Sequence, residues 1–111
     1  KLLRLEMLGP EATTLAVTGM RASAGWAGAT LEYALSRDAA VTARVMNIAG
    51  RQVRVLVQDK ATTSGAATLR WNLADQRGTR VPDGLYLFDV QARAADGPSV
   101  FAVAPVRVGR R

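Results

Sequence analysis

"GLYLFDVQAR", residues 84–93, decides how this chain folds. Tyr86, Phe88, Val90 and Ala92 fall on alternate positions, with Leu85, Leu87, Asp89 and Gln91 between them. Successive side chains of an extended strand point to opposite faces of a sheet, so one face of this segment is wholly apolar and the other mixed. Turn residues close it at both ends, Pro82-Asp83-Gly84 before and Asp96-Gly97-Pro98 after. Aspartate beside glycine is turn punctuation, and Asp83 is read here as geometry, launching the strand that carries Tyr86 and Phe88 inward.

The same period of two recurs upstream. In "TLEYAL", Leu31, Tyr33 and Leu35 alternate with Thr30, Glu32 and Ala34, and in "VTARVMNI", Val41, Ala43 and Val45 alternate with Thr42, Arg44 and Met46. "RQVRVLVQ" is β-branched and follows across "NIAGR", where Gly50 can take the positive φ that a tight hairpin needs. Asp59-Lys60 should end that strand. "AATLRWN" sets Ala67, Leu69 and Trp71 in phase, and "SVFAVAPVRV" forms a last strand interrupted by Pro105, which an edge strand or a bulge tolerates. In the first thirty residues, "LLRLEML" alternates, "TTLAVTG" is a weaker strand, and "MRASAGWAGA" reads as a loop with Trp26 as its one large anchor.

About seven short strands at this spacing predict an all-β antiparallel sandwich. A length of 111 residues fits a single domain spanning 1–111. The expected core is Leu31, Tyr33, Leu35, Val41, Ala43, Val45, Leu69, Trp71, Tyr86, Phe88 and Val90, with Tyr86 as a corner tyrosine whose hydroxyl returns to the backbone.

From "LEYALSRDAAVTARVMNIAGRQVRVLV" to "SGAATLRWNLADQRGTRVPDGLYLFDVQA", the chain resembles the Ig-like domain of the flagellar hook-capping, FlgD-type family. The likeness spans about residues 31–92 and rests on the order of "AGR", "VRVLV", "LRWN", "QRGTRVPDG" and "LYLF". Similar units look like the C-terminal sorting modules of type IX secretion. The resemblance implies an Ig or fibronectin-III-like sandwich in an exported or cell-surface bacterial protein, with periplasm as the other location, serving attachment, spacing or sorting, and no catalytic residues. One departure is Trp71-Asn72-Leu73, where the family usually carries Trp-Asp-Gly; Asn72 can still cap a turn.

Composition bounds the chemistry. Apolar residues make up 49% of the chain and charged ones 22%, enough to build a core. There is no cysteine and no histidine, which removes disulfides, thiolate chemistry and the commonest general base and metal ligand. Ser23, Ser36, Ser64 and Ser99 have no activating partner at a useful spacing. No enzyme activity, cofactor, resident metal or small-molecule substrate is expected. Asp75, Asp83, Asp89 and Asp96 form no D-x-D-x-D-G loop, although calcium between loops stays open. No glycine pattern cradles a phosphate. "KLLRLEML" lacks the parts of a signal peptide and reads as a fragment or mature start, and no apolar stretch approaches the roughly 20 residues that cross a bilayer as a helix.

Partners are therefore expected to be other protein domains or subunits. Met46, Leu85 and Leu87 alternate out of phase with the core and form a candidate exposed apolar contact. The net charge of +6 allows a polyanion, acidic glycan or nucleic acid, and Arg44 and Arg54 are the candidate basic patch if they neighbour one another across the hairpin. Trp26 is the better exposed candidate of the two tryptophans for stacking on a sugar, yet its position among small residues suits a plug at one end of the sandwich. Alongside the attachment module, two alternatives stay open: a self-assembling subunit of an extracellular filament, and a polyanion-binding module.

Overall fold

A computed structural model describes residues 14–109; the alternating "LLRLEML" segment lies outside them. Seven strands follow in order: β1 Val17–Ala24, β2 Ala29–Leu35, β3 Ala39–Asn47, β4 Gln52–Thr62, β5 Gly65–Trp71, β6 Gly84–Arg93 and β7 Ser99–Val108. They make two antiparallel sheets, a three-stranded one ordered β1-β2-β5 and a four-stranded one ordered β4-β3-β6-β7. This is the expected all-β, Ig-like sandwich.

Alternation does the folding. The inward residues of β6, Tyr86, Phe88, Val90 and Ala92, meet Val41, Ala43 and Val45 of β3, Leu31, Tyr33 and Leu35 of β2, and Ala104, Val106 and Val108 of β7. Trp71, at the end of β5, lies edge-on to Tyr86 and Phe88 with ring centroids 5.5 and 6.2 Å away. Edge-to-face packing sets the positive rim of one ring against the negative face of the other. The indole N–H of Trp71 donates to the Ala74 carbonyl at 2.8 Å, so the largest core side chain leaves no polar atom unsatisfied. All of the expected core is buried except Leu69, which is half-buried because β5 is an edge strand.

The turns follow local chemistry. Gly50 takes φ 85° between β3 and β4, and the Asn47 side-chain oxygen accepts from the Ala49 and Arg51 amides, closing the hairpin. The Tyr86 hydroxyl donates to the Pro82 carbonyl at 2.7 Å, the corner arrangement expected of it. After Trp71, the Asn72 side chain accepts from the Ala74 amide while Leu73 adopts φ 66°. That left-handed conformation usually belongs to glycine. Leu73 holds it because its side chain is fully buried in the core, which outweighs a strain of about 1 kcal/mol.

Two boundaries differ from those read in the sequence. The segment taken as a loop from Met20 contributes Met20–Ala24 to β1, after a register shift between Thr18 and Arg21; only residues 25–28 turn. Only Met20 and Ala22 of this segment pack against the core, both half-buried, so the periodic signal was weak. Likewise β4 does not stop at Asp59-Lys60 but continues to Thr62. Asp59 takes φ 49°, its amide donates to the Thr42 hydroxyl, and the pairing with β3 slips between Val41 and Ala43. A bulge lets a charged turn-former sit inside a strand.

Candidate interaction surface

The outward face of the four-stranded sheet can be built row by row from its pairing. Met46 of β3 lies opposite Leu87 of β6, and Leu87 lies opposite Pro105 of β7. In the next row Arg44, Asp89 and Val103 are aligned, and beyond them Thr42, Gln91 and Phe101. Leu85 stands across from Arg107 at the other end. Side chains directly opposite on one face lie within contact reach of each other. The candidate contact residues Met46, Leu85 and Leu87 thus share this face, with Leu85 exposed and the other two half-buried.

Val103 and Phe101 complete the apolar part, and sequence reasoning missed both. Phe101 is 66% exposed and Val103 55%. The signal was present: both lie in phase with Pro105 and Arg107, residues that do not enter a core, whereas Ala104, Val106 and Val108 take the inward positions. A phenylalanine this exposed on a regular strand has little among the described residues to pack against.

At the centre of this face, Arg44 donates from Nη2 to Asp89 Oδ2 at 2.6 Å. Asp89 keeps only 17% of its side-chain exposure and Arg44 35%, so the pair is partly shielded from water and fixes two side chains across β3 and β6. Arg93 pairs more loosely with Asp59 at 3.3 Å toward one end. The result is a mixed surface: apolar rows interrupted by one tight ion pair.

Arg44 and Arg54 do not form the expected patch. Arg44 lies opposite Val55, while Arg54 lies opposite the buried Val45 and its Nη1 donates to the Asp75 carbonyl at 3.1 Å. The two arginines sit on adjacent rungs and point to opposite faces of the sheet. The four aspartates singled out earlier are also dispersed. Asp75 accepts from the Arg77 and Thr79 amides within its own turn, Asp89 holds Arg44, Asp96 meets Arg37 at 3.2 Å, and Asp83 abuts Gly109. Trp26 is not a plug: it is 84% exposed at the tip of the β1–β2 hairpin.

Burial pushes the Tyr33 phenol above its ordinary value. Tyr86 is raised as well, by burial first and then by the negative charge of Asp83 nearby. Both hydroxyls are protonated at neutral pH, where Tyr86 serves as a donor to backbone.

Seven antiparallel strands in a three-plus-four sandwich, with a corner tyrosine and an aromatic core, define an Ig-like structural domain. The model of the FlgD Ig-like domain matches residues 18–96. This chain belongs to that family.

Solved structures agree on the fold. FlgD from P. aeruginosa is 20% identical, with a TM-score of 0.62 over 76% of this chain and 67% of that one. Dimeric latent PorU from Porphyromonas gingivalis is 17% identical, with a TM-score of 0.64 over 87% of this chain and 9% of PorU. FlgD from Xanthomonas campestris, described in connection with hook capping in flagellar assembly, is 18% identical, with a TM-score of 0.55 over 82% of this chain and 65% of that one. The chain therefore spans about two thirds of the FlgD chains and a small part of PorU. No curated protein matches it.

Proposed function

We propose that this chain is a non-catalytic assembly module, the C-terminal Ig-like domain of a larger exported or cell-surface bacterial protein, and that it mediates attachment, spacing or sorting by docking another protein on the outer face of its four-stranded sheet. The observation that carries this reading is the apolar part of that face, uncovered among the described residues, where Phe101, Val103 and Pro105 run along β7 with Leu87 opposite Pro105 and Leu85 next beyond it on β6. Contiguous exposed apolar surface is where soluble domains make protein contacts. Membership of the FlgD Ig-like family and the fold shared with the hook cap and PorU support the exported setting. The Arg44–Asp89 pair supplies orientation, because a partner must match a fixed dipole in the middle of an apolar patch.

The test is a Phe101→Glu, Val103→Glu double variant of the full-length protein in its own cell. Its surface-attached or exported fraction falls at least tenfold while the thermal transition of the domain is unchanged. Wild-type distribution of the variant between cell fractions overturns the assignment of this face.

The same exposed rows fit a second copy of the chain, which is the filament-subunit alternative. Sedimentation velocity separates the two: a concentration-dependent shift that the double variant abolishes assigns the face to self-association, and a monomer at high concentration assigns it to a different protein.

A further inference from the structure

We infer that the tip of the β1–β2 hairpin is a saccharide-binding site, with the Trp26 indole as stacking platform and Arg80 and Asp83 as its polar walls.

Trp26 sits in a four-residue turn between two strands, and its 84% exposure is the largest among the big apolar side chains of the described residues. An indole held in water forfeits the burial that a large apolar side chain normally gains, and a small residue in this turn would avoid that loss. The turn itself is fixed from two directions. The Gly25 amide donates to the Gly28 carbonyl at 2.8 Å, and Arg80 reaches across from a distant loop to donate its Nη1 to the Trp26 carbonyl at 3.0 Å. The backbone that carries the ring is therefore positioned in advance, which lowers the ordering cost of binding.

Beside the ring lies a hollow of about 330 Å³, walled by Ala24, Gly25, Trp26, Arg80, Asp83 and Gly109. Its charged groups keep hydrogen-bonding capacity among the described residues. Among the described residues, neither Arg80 nor Asp83 belongs to an ion pair, although three other arginines do. Arg80 uses one nitrogen on the Trp26 carbonyl and keeps its remaining N–H donors. Asp83 supplies acceptors, and its place is set by Gly109: a Cβ at that position would collide with the Asp83 carboxyl carbon and both oxygens. Gly109 also takes φ 92°, so a side chain there is excluded on two grounds.

An apolar plate, a fork of donors and a pair of acceptors around one small hollow match one ligand chemistry. A pyranose with equatorial hydroxyls offers a flat C–H face for the indole and a rim of hydroxyls that both donate and accept. A protein contact also draws on Trp and Arg, but a small hollow with a positioned turn is matched to one ring more than to an extended protein surface, and the attachment outcome below separates the two. Nucleic acid would be repelled by the Asp83 carboxylate. A β-1,4-linked chain keeps successive rings flat and exposes the C–H faces that stacking needs, whereas an α-1,4-linked chain curls away. This site lies at the end of the sandwich beyond Leu85 and Arg107 and does not depend on the outer sheet face being a docking surface.

The test uses the wild-type chain, Trp26→Ala and Asp83→Asn, with hexamers of β-1,4-linked glucose and β-1,4-linked N-acetylglucosamine as probes and an α-1,4-linked glucose hexamer as control. Trp26 is exposed, so Trp26→Ala leaves the thermal transition in place and any loss of binding is local. The expected result is saturable, millimolar or tighter binding of at least one β-linked probe, with quenching of the Trp26 emission, a loss of at least tenfold in Trp26→Ala and a smaller loss in Asp83→Asn. Retention by Trp26→Phe of part of the affinity distinguishes stacking from a change in the turn. Failure of both β-linked hexamers to bind at 10 mM, or binding that is unchanged in Trp26→Ala, overturns the site. Loss of cell-surface attachment in Trp26→Ala without any saccharide binding also overturns it, in favour of a protein contact at the hairpin tip.

Discussion

Strand β6 has two faces of nearly equal size and opposite fate. Tyr86, Phe88, Val90 and Ala92 are sealed between the sheets, while Leu85, Leu87, Asp89 and Gln91 look outward one residue away along the same backbone. Hydrophobicity alone does not separate the sets, since Leu85 and Leu87 are as apolar as anything inside. What separates them is what lies above. The inner face is covered by the three-stranded sheet, and the outer face is covered by nothing among the described residues. The inner set therefore determines stability and the outer set is free to determine contacts.

The largest effect should come from deleting the inner aromatic cluster. Phe88→Ala or Trp71→Ala leaves a cavity at the centre of three packed rings and costs about 3–5 kcal/mol. Thermal or urea unfolding reads this directly, and an unchanged transition would mean that the two faces have been confused. Leu73→Gly comes next, because it sets two effects against each other: it relieves the positive φ but removes a fully buried side chain. Burial wins, and the expected net loss is about 2 kcal/mol; a stabilised variant would show that the strain dominates.

Tyr86→Phe removes only the hydroxyl that holds Pro82 and should cost about 1 kcal/mol. It also tests the inner face by pH. Burial and Asp83 raise the Tyr86 phenol in the folded protein, so above about pH 10 the unfolded chain loses its proton first. Stability is fully present below that pH and falls as pH climbs toward the higher folded value. Tyr86→Phe should flatten part of this alkaline decline and leave the share that belongs to Tyr33; an identical decline in the variant would remove Tyr86 from the explanation. The smallest effect belongs to the outer face. Phe101→Ser together with Val103→Ser should move stability by no more than about 0.5 kcal/mol, measured by the same melts. A drop of several kcal/mol would place these side chains in the core after all.

The inner face was legible because alternation is a local property: Phe88 and Val90 announce their phase through their own neighbours. The hydroxyl of Tyr86 was legible for the same reason, since its acceptor lies four residues upstream. What escaped depends on pieces remote in sequence. Arg54 stands across from Val45 instead of beside Arg44 because the β3–β4 ladder slips at bulges, and no run of residues states a slip. Trp26 looked like a plug because large apolar residues usually are; it is exposed on a turn whose backbone is held by Arg80, 54 residues away. Phe101 and Val103 were readable in principle, through Pro105 and Arg107 in phase with them, but only once β7 is known to carry small residues inward.

Pro105 has a further consequence. It sits on β7, the last strand of its sheet, opposite Leu87, where it brings no N–H for a new strand to pair with. At the opposite end, the Gln76 side chain accepts from the Val55 amide and the Gln76 amide donates to the Val53 carbonyl, while the Asp59 bulge bends the rest of β4 out of line. Both ends of the four-stranded sheet are thus closed to growth. Copies of this domain crowded together meet this sheet at its face and do not extend it strand by strand.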